Sequence, residues 1–216
     1  TILNSDLKMT WKRDVILPID NELFIINSHL IDNQGRAFFM AKRYKNTPDT
    51  HVNGKVNYEV EFLKFEENSE KPEVIEIDNK GLFMTRLDLH AADSTVYCVG
   101  FYSTWGGKEG SFVMRYDPEQ SKVLYSDTQA FPFDFIMQGK EEKKKKKAKS
   151  DYEKGKIRNI VFPNEMWIRK LMFTEQGEII VFCEYEDYDY YWKTEESDGF
   201  RHSEKIENFM FGKIAV

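Results

Sequence analysis

The sequence predicts an all-β protein built from repeated four-stranded antiparallel sheets, an architecture that resembles part of a β-propeller. Aromatic residues make up 15% of the 216 residues, and such residues favour strands. Apolar residues mostly recur at every second position or in short runs bounded by turn residues. A similar turn and a similar strand occur three times along the chain, which indicates an internal repeat. An irregular β-sandwich is the alternative fold.

The first predicted unit covers residues 19–80. Its strands are expected at 23–31, 37–44, 58–63 and 74–77. The turn at 32–35 ends in Gly35, a residue that adopts positive φ without steric cost. Residues 46–57 contain Pro48 and Gly54 and are predicted to form a loop.

The second and third units repeat this order over residues 81–131 and 160–216. Strands are predicted at 82–89, 95–102, 111–116 and 122–126, and then at 166–173, 178–185 and 204–216. Turns are expected at 91–94, 117–120 and 174–177. Residues 11–17 are expected to form an isolated strand that would belong to a preceding unit. Three units do not close a ring of four to eight blades, so further chain, another subunit or a partner is expected to cover the outer faces.

A charged insert at 133–159 separates the second unit from the third. It contains an unbroken run from Lys143 to Lys147 among acidic neighbours, which predicts a solvated helix or a disordered loop. The whole chain has 31 Lys and Arg against 37 Asp and Glu, a net charge of −6 that disfavours a general nucleic-acid binder. No apolar run approaches the roughly 18 residues of a membrane-spanning helix.

The two cysteines, Cys98 and Cys183, lie far apart within apolar runs. They lack the spacing of a zinc site and are expected to be buried free thiols. A disulfide between them would require neighbouring strands, which the sequence does not reveal.

An aromatic and acidic stretch at 184–192 is the most unusual part of the sequence. Where carboxylates and aromatic rings alternate along a strand, the acids lie on one face and the rings on the other. The aromatic face would then offer a contact surface for a partner. A projecting hairpin whose acids protect its edge from aggregation is the simpler interpretation, and the loop of an EF-hand calcium site is absent. The candidate contact residues are Tyr185, Tyr188, Tyr190, Tyr191 and Trp192, together with Trp105 in a glycine-rich loop.

Motifs of known catalytic and cofactor sites are absent from the sequence. The four histidines lack metal-ligand spacing, and neither a nucleophile elbow nor a phosphate-binding loop occurs. We therefore predict no catalytic residue, no metal and no cofactor, and an enzyme is less favoured than a binding protein. Carboxylates are numerous, so a carbohydrate-active enzyme with acids at a propeller channel is the alternative.

The order of several short motifs is similar to that of a known group. Trp11-Lys12-Arg13 precedes Ile16-Leu17-Pro18 and Asp32-Asn33-Gln34-Gly35, and Val99-Gly100-Phe101-Tyr102-Ser103 precedes Gly110-Ser111-Phe112. Phe133-Asp134-Phe135-Ile136 then opens the insert, and the Tyr-rich hairpin and a closing strand at 208–216 follow. This order resembles uncharacterised β-propeller-like proteins of Bacteroidota, which are longer and thought to be exported.

The resemblance implies a C-terminal portion of a longer chain, located in the periplasm or at the cell surface. The resemblance assigns no catalytic residues to this chain, because the group has no established ones. The expected function is a non-catalytic binding or scaffold module, as in an accessory subunit of a cell-envelope assembly. Its expected partner is a protein or the remainder of a longer chain, rather than nucleic acid.

Overall fold

The computed structural model describes residues 2–3, 5–12, 14, 21–69, 71–104, 109–137, 142–154, 166–174, 178–197 and 200–211. Strands make up 59% of it and pair in antiparallel sheets, which confirms the predicted all-β class. The chain divides into two compact units, Thr1–Phe162 and Pro163–Val216. Each unit is described separately below.

The first four-stranded sheet is a simple meander in which each strand pairs with the next strand of the sheet. A short helical turn, Asn21–Leu23, leads into it. Its strands in spatial order are β3 (Phe24–Ile31), β4 (Ala37–Tyr44), β7 (Tyr58–Phe65) and β8 (Glu73–Ile77). Two small hairpins accompany it, formed by β1 (Ile2–Leu3) with β2 (Met9–Trp11) and by β5 (His51–Val52) with β6 (Lys55–Val56).

The second four-stranded sheet repeats the same topology. Its strands in spatial order are β9 (Phe83–Ala92), β10 (Thr95–Ser103), β11 (Gly110–Asp117) and β12 (Lys122–Ala130). All eight predicted strands of the first two units are therefore present, and most bounds agree within a few residues.

The core of the first unit lies between these two sheets and belongs to both. Phe62 of β7 packs on Phe38 of β4 at 5.7 Å between ring centroids and on Tyr116 of β11 at 4.8 Å. Alternate residues along the strands enter this cluster, as the period of two requires. Its buried members are Phe38, Met40, Tyr44, Tyr58, Val60, Phe62 and Ile77 from the first sheet, and Met84, Leu87, Leu89, Val96, Cys98, Phe112, Met114 and Tyr116 from the second.

The charged insert forms two helices, α1 (Phe133–Ile136) and α2 (Glu142–Glu153). Ala148 of α2 packs against the small cluster around Ile136 and Met137, and Tyr152 lies 5.4 Å from the ring of Phe133. Of the two alternatives predicted for the insert, the helix is the one observed. No described helix combines the length and the apolar character that crossing a bilayer requires.

The second unit contains three described strands, β13 (Met166–Phe173), β14 (Ile179–Ser197) and β15 (Phe200–Phe211). β13 pairs with β14 between Ile179 and Tyr185, and β15 pairs with it between Glu186 and Ser197. The predicted strand 178–185 thus continues to Ser197, and its pairing with β15 forms a long hairpin that includes the one predicted at 184–192. A four-stranded third unit was expected, and three strands are what the described residues form.

Two further details differ from the sequence-based expectation. The segment 46–57, predicted to be a loop, contains the β5–β6 hairpin, because Asn53 and Gly54 both adopt positive φ, as a tight hairpin turn requires. The observed β2 shares only Trp11 with the strand predicted at 11–17, of which residues 13 and 15–17 lie outside the described part.

Both cysteines are buried thiols outside any disulfide, in agreement with the favoured interpretation of the sequence. Cys98 belongs to the core between the two sheets, where burial raises the pKa of its thiol well above the usual value. A neutral thiol of this kind packs as a small apolar side chain.

Candidate binding site

A polar pocket of about 140 Å³ lies at one end of the first unit, where turns of both sheets meet. We call this end, formed by the turns at 32–36, 93–94 and 117–121, the turn end. The β3–β4 turn, the β9–β10 turn and the β11–β12 turn all contribute to the wall. The polar and turn residues that line it are Asp32, Asn33, Gln34, Arg36, Asp93, Ser94, Thr95 and Pro118.

Asp32 organises the first of these turns. Its Oδ1 accepts hydrogen bonds from the backbone N–H groups of Gln34 and Arg36, both at 2.9 Å. Gly35 has φ of +79°, the left-handed conformation that closes the turn. Asp32 Oδ2 then accepts a hydrogen bond from Nε of Arg36 at 2.7 Å. One carboxylate therefore fixes both the turn and the arginine beside the pocket.

Arg36 links this turn to the second sheet. Its Nη1 donates to Oε1 of Glu119 at 2.7 Å, and Nε2 of Gln34 donates to the same oxygen at 3.0 Å. Burial lowers the pKa of Arg36, but the hydrogen bonds and negative charges of Asp32 and Glu119 outweigh burial and raise it. The guanidinium is therefore always charged and held between the two carboxylates.

Lys64 makes a second link across the same two sheets. Its Nζ donates to the backbone oxygen of Pro118 at 3.1 Å and to Oγ of Ser121 at 2.8 Å, both in the β11–β12 turn. It also forms ion pairs with Glu66 at 2.9 Å and Glu73 at 3.4 Å. This network holds the third turn of the pocket against the first sheet.

The pocket carries more negative than positive charge. Asp32 and Asp93 line it, and Arg36 is the lining cation, which forms ion pairs with Asp32 and with the nearby Glu119. Within the described part of the chain, the carboxylate of Asp93 has no ion-pair partner. Asp93 occupies the left-handed region with φ of +53°, which Asp and Asn tolerate better than other residues with side chains. The pocket thus suits a small cationic group.

The enzyme alternative requires paired carboxylates, and in the described part of the first unit such pairs share a cation. Lys64 bridges Glu66 and Glu73, and arginines bridge two further pairs. Arg36 bridges Asp32 and Glu119, and Arg43 bridges Glu59 and Glu61 through Nη2 and Nε. The Arg43 contact to Glu61 is 2.5 Å long. Shared arginines of this kind are typical of ion-pair networks that stabilise a sheet surface.

Five of the six aromatic residues predicted as a contact surface belong to the second unit, whereas the pocket belongs to the first. Their backbone belongs to β14, where Tyr185 pairs with Met166 and the others pair with β15. For Tyr188, Tyr190, Tyr191 and Trp192 the partners in the ladder are Phe209, Glu207, Ile206 and Lys205. The structure describes these residues by their backbone alone, and Trp105 lies outside the described residues. Their role in partner binding stays a prediction.

The residues of the turn end were not predicted as a site, although a signal for them was present. The sequence showed that the turns at 32–35 and 91–94 occupy equivalent places in successive units. Equivalent turns of adjacent sheets lie side by side, so their polar residues were candidates for one surface. The contribution of Pro118 could not be predicted in this way, because Pro118 lies in the β11–β12 turn, which does not occupy the equivalent place in its unit.

The described residues contain no group of three or more His, Cys, Asp and Glu side chains that could hold a metal ion. Comparison with protein-family models gave no match, and the same was true of curated proteins and of solved structures.

Proposed function

We propose that the chain is a non-catalytic binding module whose turn end binds a basic side chain of a protein partner. The observation that carries this proposal is the pocket between the turns of two consecutive sheets, which is lined by the two carboxylates of Asp32 and Asp93 and by one arginine. Loops that a rigid sheet scaffold positions are the usual binding surfaces of such folds. A guanidinium or ammonium group would find uncompensated negative charge there, chiefly at Asp93.

A propeller-like arrangement of the sheets is part of the same proposal. Both sheets are four-stranded meanders that share one core, and their first strands, β3 and β9, lie in contact. Oγ of Ser28 in β3 accepts a hydrogen bond from the backbone N–H of Leu89 in β9 at 3.0 Å. Sheets that meet through their first strands are what successive blades around a central channel would show.

We also propose membership of the exported propeller-like proteins of Bacteroidota that the sequence resembles, as an accessory subunit of a cell-envelope assembly. Its support is the motif order given above and the two meander sheets. Fractionation of the source cells with an antibody to this chain tests the location. Recovery in the periplasm or outer envelope is expected, and recovery in the cytosol alone would contradict the proposal.

A peptide titration followed by NMR tests the binding function. ¹⁵N-labelled protein is titrated with capped Gly-Arg-Gly, Gly-Lys-Gly and Gly-Glu-Gly peptides. The backbone amides of Asn33, Gln34 and Ser94 should shift with the two basic peptides and not with the acidic one. If no basic peptide shifts them, the proposal is wrong.

Two charge-removing variants provide the matched comparison. Asp93→Asn removes the pocket charge and keeps a residue type that tolerates the left-handed turn. Asp127→Asn removes an exposed carboxylate of β12 that does not line the pocket. The first variant should weaken binding of the basic peptides about tenfold, equivalent to about 1.4 kcal/mol, and the second should leave it unchanged. Equal binding by all three proteins would refute the role of the pocket.

The aromatic stretch of β14 is proposed as a second contact surface of the same module. Once a protein partner has been identified, deletion of residues 188–192 should weaken its binding. Retention of full affinity after this deletion would remove the stretch from the interface and leave the turn end as the contact.

A further inference from the structure

The charged insert concentrates positive charge on the helix α2. This helix has six lysines, which are the unbroken run from Lys143 to Lys147 and Lys149, against three acids. α2 therefore has an excess of positive charge, whereas the chain as a whole carries a net charge of −6. The helix is thus a basic element of an acidic protein.

Packing of α2 on the first unit determines which of its side chains face solvent. Ala148 packs on the small apolar cluster at α1, and the ring of Tyr152 lies 5.4 Å from that of Phe133. Ala148 and Tyr152 are about one turn apart, so they share the face that meets the protein. The exposed lysines of the opposite face, which we call the lysine face, are Lys143, Lys146 and Lys147.

The carboxylates of α2 do not neutralise the lysine face. Glu142 forms an ion pair at 2.9 Å with Lys145, which lies outside that face. Asp151 and Glu153 lie in the last turn of the helix. Among the described residues, the three ammonium groups of the lysine face have neither a hydrogen bond nor an ion pair. Their positive charge is therefore uncompensated by that part of the chain.

The order of charges along α2 does not stabilise the helix. Lys143 and Lys147 are four residues apart, a spacing at which like charges repel one another. Two of the three acids lie in the last turn, which has no basic residue, and this is the reverse of what the helix dipole favours. A solvated helix that alternated Glu and Lys at the same spacing would gain stability instead. The lysine face therefore lowers the stability of α2, as functional surfaces often do.

We propose that the lysine face is an electrostatic docking surface for an anionic phospholipid membrane. Clusters of lysines on a helix attract anionic headgroups, and each lysine near the membrane surface contributes. Nucleic-acid surfaces commonly use the planar fork of arginine and aromatic rings that stack on bases. α2 contains no arginine, and its one aromatic side chain, Tyr152, packs against Phe133 instead. The lysine face thus fits a membrane surface better than a nucleic acid.

Docking of this kind is peripheral and reversible. The apolar side chains of α2 pack on the protein, so ionic attraction rather than insertion into the bilayer holds the helix at the membrane. The rest of the chain is acidic and is repelled by the same membrane, which favours the orientation with α2 toward the lipid. At physiological ionic strength this repulsion is screened beyond about 8–10 Å.

The helix α2 is connected to the end of the second sheet that lies opposite the turn end. β12 begins beside the turn at 117–121 and leads to Ala130 at the far end of the sheet. There the ring of Phe131 lies 6.1 Å from that of Phe101, and α1, on which α2 packs, begins two residues later. The membrane surface is therefore separate from the turn end, and this inference does not depend on the function proposed for that pocket.

Co-sedimentation with vesicles tests the proposal. Purified protein is mixed with vesicles of phosphatidylcholine alone, or with about one third phosphatidylglycerol, at about 0.1 M and about 0.5 M salt. The protein should sediment only with the anionic vesicles and only at the lower salt concentration. Absence of binding to the anionic vesicles at the lower salt concentration would overturn the proposal.

Two triple variants of equal net charge provide the matched comparison. The first combines Lys143→Gln, Lys146→Gln and Lys147→Gln. The second changes three exposed lysines near the turn end and combines Lys12→Gln, Lys71→Gln and Lys122→Gln. The first variant should bind the anionic vesicles at least about tenfold more weakly than wild type, and the second within about threefold. Equal losses in the two variants would assign the binding to net charge alone and refute the role of the lysine face.

A footprint on the wild-type protein gives a readout that needs no variant. Lysines are acetylated with and without anionic vesicles, and peptide mass spectrometry gives the rate at each site. The vesicles should slow acetylation of the lysine face and leave Lys12 and Lys71 unchanged, whereas equal protection of all of them would contradict the proposal. Binding of a single-stranded oligonucleotide without binding of the vesicles would show a nucleic-acid surface and would also overturn it.

Discussion

Tyr58 and Met84 are joined by two hydrogen bonds that connect the two sheets of the first unit. The phenolic oxygen of Tyr58 in β7 accepts a hydrogen bond from the backbone N–H of Met84 at 2.8 Å. The same hydroxyl group donates to the backbone oxygen of Met84 at 3.2 Å. Both residues belong to the shared core, so one side chain satisfies buried backbone groups of the neighbouring sheet.

Replacement of Tyr58 by Phe should destabilise the first unit by about 1–3 kcal/mol, because the buried N–H of Met84 then lacks an acceptor. Chemical denaturation measures the change. Tyr44→Phe is the matched control, since Tyr44 is equally buried and none of the described residues forms a hydrogen bond with its hydroxyl. The control should lose less than about 0.5 kcal/mol. Equal losses in the two variants would show that the Met84 contacts contribute nothing.

Gly110 at the start of β11 should not tolerate a side chain. A Cβ atom there would lie 2.3 Å from the backbone oxygen of Gln129 and 2.3 Å from the ring of Tyr102. Since Gln129 belongs to the paired strand β12, the clash cannot be relieved by a rotamer change. Gly110→Ala should cost at least about 2 kcal/mol, whereas Ser111→Ala next to it should cost much less. A melting temperature equal to that of Ser111→Ala would contradict this geometry.

Removal of Arg36 should cost about 3 kcal/mol, because it leaves the largely buried carboxylate of Asp32 without its partner. A double-mutant cycle checks this explanation. Asp32→Asn removes the charge and keeps Oδ1 as acceptor for the turn, so Arg36→Met should be less harmful in that background. Additive effects of the two substitutions would show that their ion pair does not stabilise the fold.

Stability should rise with pH between about pH 7.5 and 9.5 because of Lys42. Its pKa is about 8 in the folded chain and near 10.5 when unfolded, so the unfolded chain binds more protons in this range. Burial of the charged form thus opposes folding at pH 7 by about 3 kcal/mol, and deprotonation relieves this. Denaturation at several pH values should show wild-type stability rising relative to that of Lys42→Met, since the raised pKa of the Cys98 thiol lowers stability above about pH 8.5 equally in both proteins. Parallel profiles for the two proteins would contradict the prediction.

Strand positions could be predicted well wherever apolar runs are bounded by turn residues. The strands Ala37–Tyr44 and Met166–Phe173 have the predicted bounds. The β5–β6 hairpin was missed even though Asn53-Gly54 is a strong signal for a tight turn. The hairpin at 184–192 was predicted, whereas the continuation of β14 to Ser197 was not, because residues 193–197 are polar and pairing with β15 rather than an apolar period keeps them in a strand.

The candidate site and the burial of Lys42 depend on contacts that no local pattern contains. Lysine is normally a surface residue, and Lys42 is buried only because Tyr58 and a second sheet lie on its face of β4. Likewise, the pocket requires that Glu119 of one sheet reach Arg36 of the other. The sequence does predict the turns themselves, since Asp, Asn and Gly are common at such positions.

The contacts of Lys64 determine how the first unit comes apart. If the β11–β12 turn moved away, the ammonium group would lose Pro118 and Ser121 together and would keep only Glu66 and Glu73 as partners. These contacts therefore couple opening of that turn to separation of the two sheets. Hydrogen exchange should show amides of β7 and β11 exchanging with one common free energy, as a single cooperative unit. Lys64→Met should split this unit, so that β11 exchanges before β7.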